Sequence, residues 1–327
     1  MRYVRIALAL LVAPALVCGA GVAAAGAVGA HLGRDNFSWD VLSHFAPVWF
    51  AVGVITAGLG LLFRRYVRWM ISGLGVLATV AAVPLIAPEL MRNSGPTAAP
   101  GAAGEIKLIQ FNVWQSTDVE RTIAWLDAEK PDILVLQEGA DGVRAEIIRR
   151  TGLHVTCARC DAMVLSRRPA APGYASRIVV PNGSMTRAVF QDPLGDFTVI
   201  GVHNSWPTDP QDQQLEEAAL ADILSGLDRD RVIVAGDFNS TPWSYSRRRW
   251  DAEFGVTRRT RALFTWPVQQ PVGVSRLFPF PFLAIDHVYA GKDWATVRIE
   301  RGPRLSSDHY PVVITLSPLN RGRGGPR

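Results

Sequence analysis

Arg231-Val232-Ile233-Val234-Ala235-Gly236-Asp237-Phe238-Asn239-Ser240 joins an apolar run directly to a polar pair. Val232 to Ala235 are largely β-branched and are stopped by a glycine, the pattern of a short strand covered on both faces. Alternation along an extended chain puts Asp237 and Asn239 on one side and Phe238 on the other. A polar pair at the end of a buried strand stands where α/β folds collect their chemistry. The same residues also suit a strand followed by an Asx-type turn. Their meaning depends on how the other strands end.

Other apolar runs end the same way. Asn112 closes Gln110-Phe111-Asn112, Glu138 closes Leu134-Val135-Leu136-Gln137-Glu138, and His203 closes Val199-Ile200-Gly201-Val202-His203. Asp286 interrupts Leu283-Ala284-Ile285-Asp286-His287-Val288, and Asp308-His309 stand just before Val312-Val313-Ile314. If these ends converge, the carboxylates cannot all stay ionised without a cation. Oxygen donors with few thiols or imidazoles favour Mg²⁺ or Mn²⁺ over zinc.

Around these runs, strand and helix patterns alternate. Ile106–Val113 predicts a strand, and Val119–Glu129 a helix with Ile123 and Leu126 on one face. Strands are expected at 133–137 and 162–166, at 177–180, 186–191 and 197–202 as a meander, and at 284–290, 296–300 and 312–316. Helices are expected at 144–151 and 213–227. The class is α/β, over a domain spanning 105–318. Residues 93–104 are a Pro/Gly/Ala-rich linker, and 319–327 read as a disordered basic tail.

The preceding part is different. Residues 6–30, 45–63 and 70–88 are apolar runs, each about long enough to cross a bilayer. Together they read as an all-α transmembrane region, 1–92, holding the chain in the lipid bilayer. Ala23-Ala24-Ala25 also offers a signal-peptide cleavage site. Arg2 and Arg5 precede the first run, and Arg64, Arg65 and Arg68 fill the second loop, whereas the first loop sets Arg34 against Asp35 and Asp40. Positive loops stay in the cytoplasm. Everything after Arg92 is then expected outside it, in a multi-pass protein of the cytoplasmic membrane, whether or not the first run is removed. The lack of charge inside the spans argues against a transport component.

Net charge is +5, but beyond residue 95 there are 27 positive and 26 negative side chains. A near-neutral body carries no domain-wide basic footprint for nucleic acid. Cys18 lies in the first apolar run. Cys157 and Cys160 form a lone Cys-x-x-Cys without further zinc ligands nearby, which leaves a local disulfide or two ordinary thiols. Nothing in the chain points to a protein partner.

Five motifs stand in order: Gln110-Phe111-Asn112-Val113, Leu136-Gln137-Glu138, Gly236-Asp237-Phe238-Asn239, Ile285-Asp286-His287 and Ser307-Asp308-His309-Tyr310-Pro311. The set resembles the endonuclease/exonuclease/phosphatase family, which includes pancreatic deoxyribonuclease, AP endonucleases, inositol polyphosphate 5-phosphatases and neutral sphingomyelinases. The anchored layout, with Thr241-Pro242-Trp243 and Thr265-Trp266-Pro267, is similar to a bacterial branch of it. The resemblance implies a four-layer α/β/β/α sandwich of two mixed sheets. The chain departs from the family at Asp161, where a glycine is usual, and lacks a counterpart of the tyrosine some members place near the phosphate.

The expected roles follow from both readings. Glu138 is the metal ligand, helped by Asn112 and Asp308. His309 pairs with Asp286 as general base or phosphate ligand; alternatively Asp237 activates the attacking water, held by Asn239. His203 donates to a phosphate oxygen or the leaving group. Asn112, and Arg187 from a neighbouring strand, are expected at the substrate. His287 should face the opposite way and be structural; His31, His44 and His154 match no motif. Arg247-Arg248-Arg249 reads as a solvated helix face rather than a phosphate grip. The expectation is a membrane-anchored, Mg²⁺- or Mn²⁺-dependent phosphoesterase, nuclease-like, with an extracytoplasmic site. Its substrate partner is a nucleic acid or a phospholipid headgroup. The alternatives are lipid or inositol phosphatase or sphingomyelinase-like action, or a catalytically silent binding module.

Overall fold

Strands apolar on both faces must be covered on both faces, and the computed structural model shows how. It describes residues 2–139, 141–172, 176–178, 180, 182–193, 195–268 and 280–319. The expected tail beyond Leu319 lies outside the described residues. In chain order the helices are α1 (Arg2–Ala30), α2 (Phe37–Asp40), α3 (Ala46–Gly60), α4 (Arg65–Met91), α5 (Val119–Glu129), α6 (Asp141–Thr151), α7 (Pro210–Ser225) and α8 (Tyr245–Glu253). The strands are β1 (Ile106–Val113), β2 (Ile133–Glu138), β3 (His154–Thr156), β4 (Met163–Ser166), β5 (Ser176–Ile178) and β6 (Ser184–Phe190). They continue with β7 (Phe197–His203), β8 (Val232–Asp237), β9 (Thr257–Arg258), β10 (Asp286–Ala290), β11 (Trp294–Arg301) and β12 (Val312–Pro318). One compact unit gathers residues 93–241 with 249–327; the other gathers 1–92 with 242–248.

In the larger unit two six-stranded sheets run β11-β12-β1-β2-β4-β3 and β5-β6-β7-β8-β10-β9. Each is mixed: β1 pairs parallel with β2 and β7 with β8, while β12 and β10 run antiparallel to β1 and β8. Leu108, Val135, Val164, Ala188, Val199, Ile233 and Ile314 fill the space between the sheets. The other face of the first sheet, with Phe111, Leu134 and Leu136, packs on Ile123 and Leu126 of α5 and Ile147 of α6. Met185, Ile200 and Val234 cover the second sheet's outer face with Leu220 and Leu224 of α7. Each of the larger apolar side chains contributes about 1.5–3 kcal/mol on burial. This is the expected four-layer sandwich of two mixed sheets. The short strands β3 and β9 carry too few residues to show a period in the sequence.

The smaller unit holds three helical segments long and apolar enough to cross a membrane, Leu11–Arg34, Phe37–Gly60 and Arg65–Met91. α3 and α4 approach closely where small residues face each other: a Cβ on Gly75 would stand 2.5 Å from the Ala57 nitrogen, the kind of contact small residues permit between spanning helices. The segment 242–248 belongs here for an identifiable reason. The buried Asp40 carboxylate accepts the backbone N–H groups of Tyr245 (2.9 Å) and Ser246 (2.7 Å) at the start of α8, and the His31 ring bonds the Tyr245 hydroxyl at 2.7 Å. Arg247 corrects the solvated-face reading of 247–249. It is fully buried, and Arg249 is the exposed member.

Gly236 tests the pairing that delivers Asp237. A Cβ there would lie 1.9 Å from the Val202 carbonyl oxygen on the adjacent strand. Gly236→Ala should therefore destabilise the sandwich by about 1–3 kcal/mol, read from the urea midpoint of the full chain in detergent micelles. An unchanged midpoint would show that β7 and β8 can separate freely.

Candidate active site

Strand direction decides where the polar ends go. β1, β2, β7 and β8 finish at the edge where the antiparallel β10 and β12 begin. Six segments distant in sequence therefore deliver Asn112, Glu138, His203, Asp237, Asp286 and His309 to one place. Register sharpens this: His203 stands opposite Asp237, and Asp286 opposite Asp237 on its other side. Val113 pairs with Glu138, which would turn Glu138 away from the inter-sheet face. Its backbone instead adopts a left-handed φ of 55°, and the carboxylate comes round to Asn112. Asn239 is also left-handed, with φ 46°. Such conformations cost about 1–3 kcal/mol and persist where the surroundings over-determine them.

Asp237 is the hub. Its carboxylate accepts from Asn112 Nδ2 at 2.9 Å and from the Asn239 backbone N–H at 2.8 Å. His309 Nε2 lies 3.6 Å and His203 Nε2 4.0 Å from its Oδ2. Asn112 Nδ2 also donates to Glu138 Oε1 at 3.0 Å, and His203 Nε2 lies 3.6 Å from that same oxygen. His309 Nδ1 bonds Asp286 Oδ2 at 2.8 Å, and Asp286 Oδ1 accepts from Gln110 Nε2 at 2.7 Å. His203 Nδ1 bonds the carboxylate of Asp161.

These contacts set the charges. Burial pushes the Asp237 carboxyl up to about 6, reinforced by Asp286 and opposed by His309 and His203. Burial alone would lower both imidazoles. For His203 the Asp161 hydrogen bond and the charges of Asp237, Asp161 and Glu138 outweigh it and raise the ring to about 9. For His309 the charges of Asp286 and Asp237 and the Asp286 hydrogen bond raise it to about 10. Both rings are therefore cationic hydrogen-bond donors near neutrality.

Among the described residues two sets of ligand atoms lie within 4.8 Å of one another: Glu138, His203 and Asp237, and Asp237, Asp286 and His309. The donors suit a hard cation. Buried beside Glu138, Asn112 Oδ1 has no hydrogen-bond donor, so a carboxamide oxygen stands next to two carboxylates. Glu138 and Asp237 would supply the carboxylate oxygens.

Two expected site residues stand apart from these sets. Asp308 accepts the indole N–H of Trp266 at its Oδ2, 3.1 Å away, and belongs to neither set. Arg187 pairs with Ile200 and shares the face of Met185, which packs toward α7. Alternation puts it on the sheet face away from the site. Asn239 lies beside Asp237, but its Nδ2 donates to the Asn204 carbonyl at 2.8 Å. His287 is buried on the opposite side, bonded to Thr260 and the Ser240 carbonyl.

The sequence reading assigned no role to Gln110, Gln137 or Asp161. Gln110 lies two residues before Asn112 on the same strand face, a signal that period-two alternation already carries. It bridges to Gln137 Oε1 at 2.8 Å as well as to Asp286. Asp161 stood out only as a residue in place of a glycine, and its partner lies 42 positions away.

Stability should follow these shifts. The imidazoles titrate at about 9 and 10 in the fold against 6.5 in an open chain. Their stabilising contribution is therefore complete below 6.5 and is lost as pH rises through those higher values. Asp237, raised from 3.8 to about 6, also favours the fold at its acid side and ceases to do so above about 6. With a chelator present, the Tm of the full chain should fall as pH rises from about 7 to 10, and His309→Gln should flatten the decline. A Tm that climbs over that range would contradict the charge assignment.

A sequence profile of the Endonuclease/Exonuclease/phosphatase family matches residues 109–309. No curated protein matches the chain. Among solved structures, an endonuclease/exonuclease/phosphatase family protein from Bacteroides thetaiotaomicron superposes with TM-score 0.52 at 12% identity, covering 65% of this chain and 97% of that one. A mannosyl-6-phosphatase from the same species gives TM-score 0.52 at 12% identity, over 65% and 99%. An endonuclease/exonuclease/phosphatase from Beutenbergia cavernae is 22% identical over 65% and 72%, with TM-score 0.48. At these identities the structural likeness concerns the fold. The profile spans most of the chain, from the first motif to His309 in the fifth, and on that ground this protein is a member of the Endonuclease/Exonuclease/phosphatase family, whose members are hydrolases acting on phosphoesters.

Proposed function

We propose that the protein is a membrane-anchored, divalent-metal-dependent phosphodiesterase whose active site lies outside the cytoplasm. The observation that carries this reading is the buried Asp237 carboxylate, bonded to Asn112 and facing the Nε2 atoms of both His203 and His309. A carboxyl raised to about 6 is suited to accept a proton near neutrality, and two cationic donors beside it suit an anionic substrate.

Glu138 and the Asn112 carboxamide oxygen would hold Mg²⁺ or Mn²⁺. When bound, the ion would neutralise the phosphodiester and polarise its phosphorus–oxygen bonds. Asp237 takes the proton of the attacking water. His309, kept charged by Asp286, donates to a phosphate oxygen as negative charge builds there. His203 gives its Nε2 proton to the departing alkoxide. Gln110 holds the far oxygen of Asp286, so the Asp286–His309 pair does not have to reorganise during the reaction. The anchor readings support an extracytoplasmic site through the arginines of the second loop, Arg64, Arg65 and Arg68.

The full chain in detergent should hydrolyse bis-p-nitrophenyl phosphate with Mg²⁺, and Glu138→Ala and His309→Ala should each lower kcat by about 10²–10⁴-fold. A panel of DNA, RNA, phosphoinositides and sphingomyelin then identifies the substrate. Inertness toward diesters, monoesters and lipids alike would favour a silent binding module. For topology, a reporter fused after Pro318 should be active only outside the cytoplasm; cytoplasmic activity would reverse the orientation.

A further inference from the structure

We propose that Trp206, braced by Trp266, is a stacking platform for an unpaired nucleobase carried by the phosphodiester, which makes nucleotide esters the substrate class of this site. The proposal deepens the phosphodiesterase reading and rests on it for its kinetic arm. Burial singles the residue out. Among the described residues of the larger unit, the large apolar side chains left exposed are Trp206, Leu215 and Phe280. Trp206 stands three residues after His203, in the segment that leaves β7 at the edge where the site lies, and is 48% exposed. An open indole beside a polar site is informative in a way that a lone exposed leucine is not.

The surrounding contacts hold this ring in place. Fully buried Glu216 of α7 accepts the Ser205 backbone N–H at 2.7 Å and the Ser205 hydroxyl at 2.6 Å, and Gln213 Nε2 donates to the Ser205 carbonyl at 2.9 Å. The Asp209 N–H closes a turn on the Trp206 carbonyl at 2.9 Å. Trp266 belongs to another segment and is held as firmly. Its backbone N–H donates to the Leu283 carbonyl at 3.1 Å, its carbonyl accepts the Leu283 N–H at 2.8 Å, and its indole N–H goes to Asp308. It is thereby fixed to the segments that carry Asp286 and His309. The two indoles meet at 73° with centroids 5.6 Å apart, and Phe282 packs against Trp266 at 6.3 Å. Edge therefore meets face, and Trp206 keeps ring surface open. A platform ordered in advance avoids the entropy cost of freezing it when a ligand arrives.

The surroundings decide what an open indole takes. A flat neutral ring stacks on it, and for a nucleobase that contact contributes about 1–3 kcal/mol. A quaternary ammonium also favours an indole face, but here it would share the edge with His203 and His309, the groups that attract the phosphate. A hydrocarbon chain binds best where apolar walls enclose it, and two rings crossing at 73° make a corner, not a channel. The base must also be free. In a duplex the bases are stacked on one another, and extracting one has a cost of its own. With 27 positive and 26 negative side chains beyond residue 95, no basic track holds a duplex while that happens. The class is therefore single strands and short nucleotide diesters.

The experiment uses the full chain in detergent with Mg²⁺ and esters that share one leaving group: thymidine 5′-(p-nitrophenyl phosphate), p-nitrophenyl phosphorylcholine and methyl p-nitrophenyl phosphate. The wild type should prefer the thymidine ester in kcat/KM, mainly through a lower KM. Trp206→Ala should shrink that preference over the methyl ester by about 5–150-fold, the equivalent of losing one stacked base. Trp206→Phe should restore most of it. An equal preference in the wild type and Trp206→Ala overturns the proposal. So does a wild-type preference for the choline ester that Trp206→Ala abolishes, which would make the rings a cation site. If all the esters are inert, the phosphodiesterase reading fails, and binding decides on the platform. Calorimetry with thymidine 5′-monophosphate should then give a Kd about 5–150-fold weaker for Trp206→Ala than for the wild type; absent or equal binding rejects the platform.

Discussion

Carboxylates gathered at one buried edge repel each other, and the architecture of the larger unit is organised around making that tolerable. Asp237 is only 1% exposed and Asp286 fully buried, and neither can reach bulk water. An unpaired buried charge is far more costly than the hydrogen bonds that normally stabilise a fold. Here each oxygen is answered by a donor. Asn112 and the Asn239 backbone serve Asp237, Gln110 and His309 serve Asp286, and Asn112 also reaches Glu138. The two imidazoles supply positive charge where burial would otherwise have neutralised them. Catalytic potential and local instability thus have one origin.

The donors come from both sheets, which makes the sandwich itself the positioning device. Gln110 on β1 reaches Asp286 on β10, and Asn112 on β1 reaches Asp237 on β8. These bonds cross the inter-sheet space just beyond the apolar layer of Leu108, Val135, Ile233 and Val288. A close-packed layer has few alternative arrangements, so the polar groups above it inherit its rigidity. Left-handed backbone at Glu138 and Asn239 is sustainable for the same reason.

The smaller unit shows the same economy with polar groups. Asp40 and His31 stand among apolar helices, where an unsatisfied polar atom is expensive. Both are accounted for by the segment 242–248: Asp40 caps the start of α8, and His31 bonds Tyr245 and the Ala81 carbonyl. Their presence in otherwise apolar stretches therefore has a structural explanation, in partners more than two hundred residues away along the chain.

Much of this was legible from the chain alone, because the information was local. Apolar runs stopped by polar residues marked β1, β2, β7 and β8; the helical spacing of Ile123 and Leu126 marked α5; uncharged length marked the spans. The motifs around Asn112, Glu138, Asp237, Asp286 and His309 marked the site. What only the tertiary structure decided were the relations between distant segments. Asp308 bonds an indole, Arg187 falls on the far face of its sheet, and Arg247 is buried. Asp161, outside the motifs, bonds His203, and Gln110, within the first of them, bonds Asp286. Periodicity and local chemistry report which face a residue prefers to bury. Which donor meets which acceptor depends on strand direction, register and the packing of two sheets, and these exist only once the chain has folded.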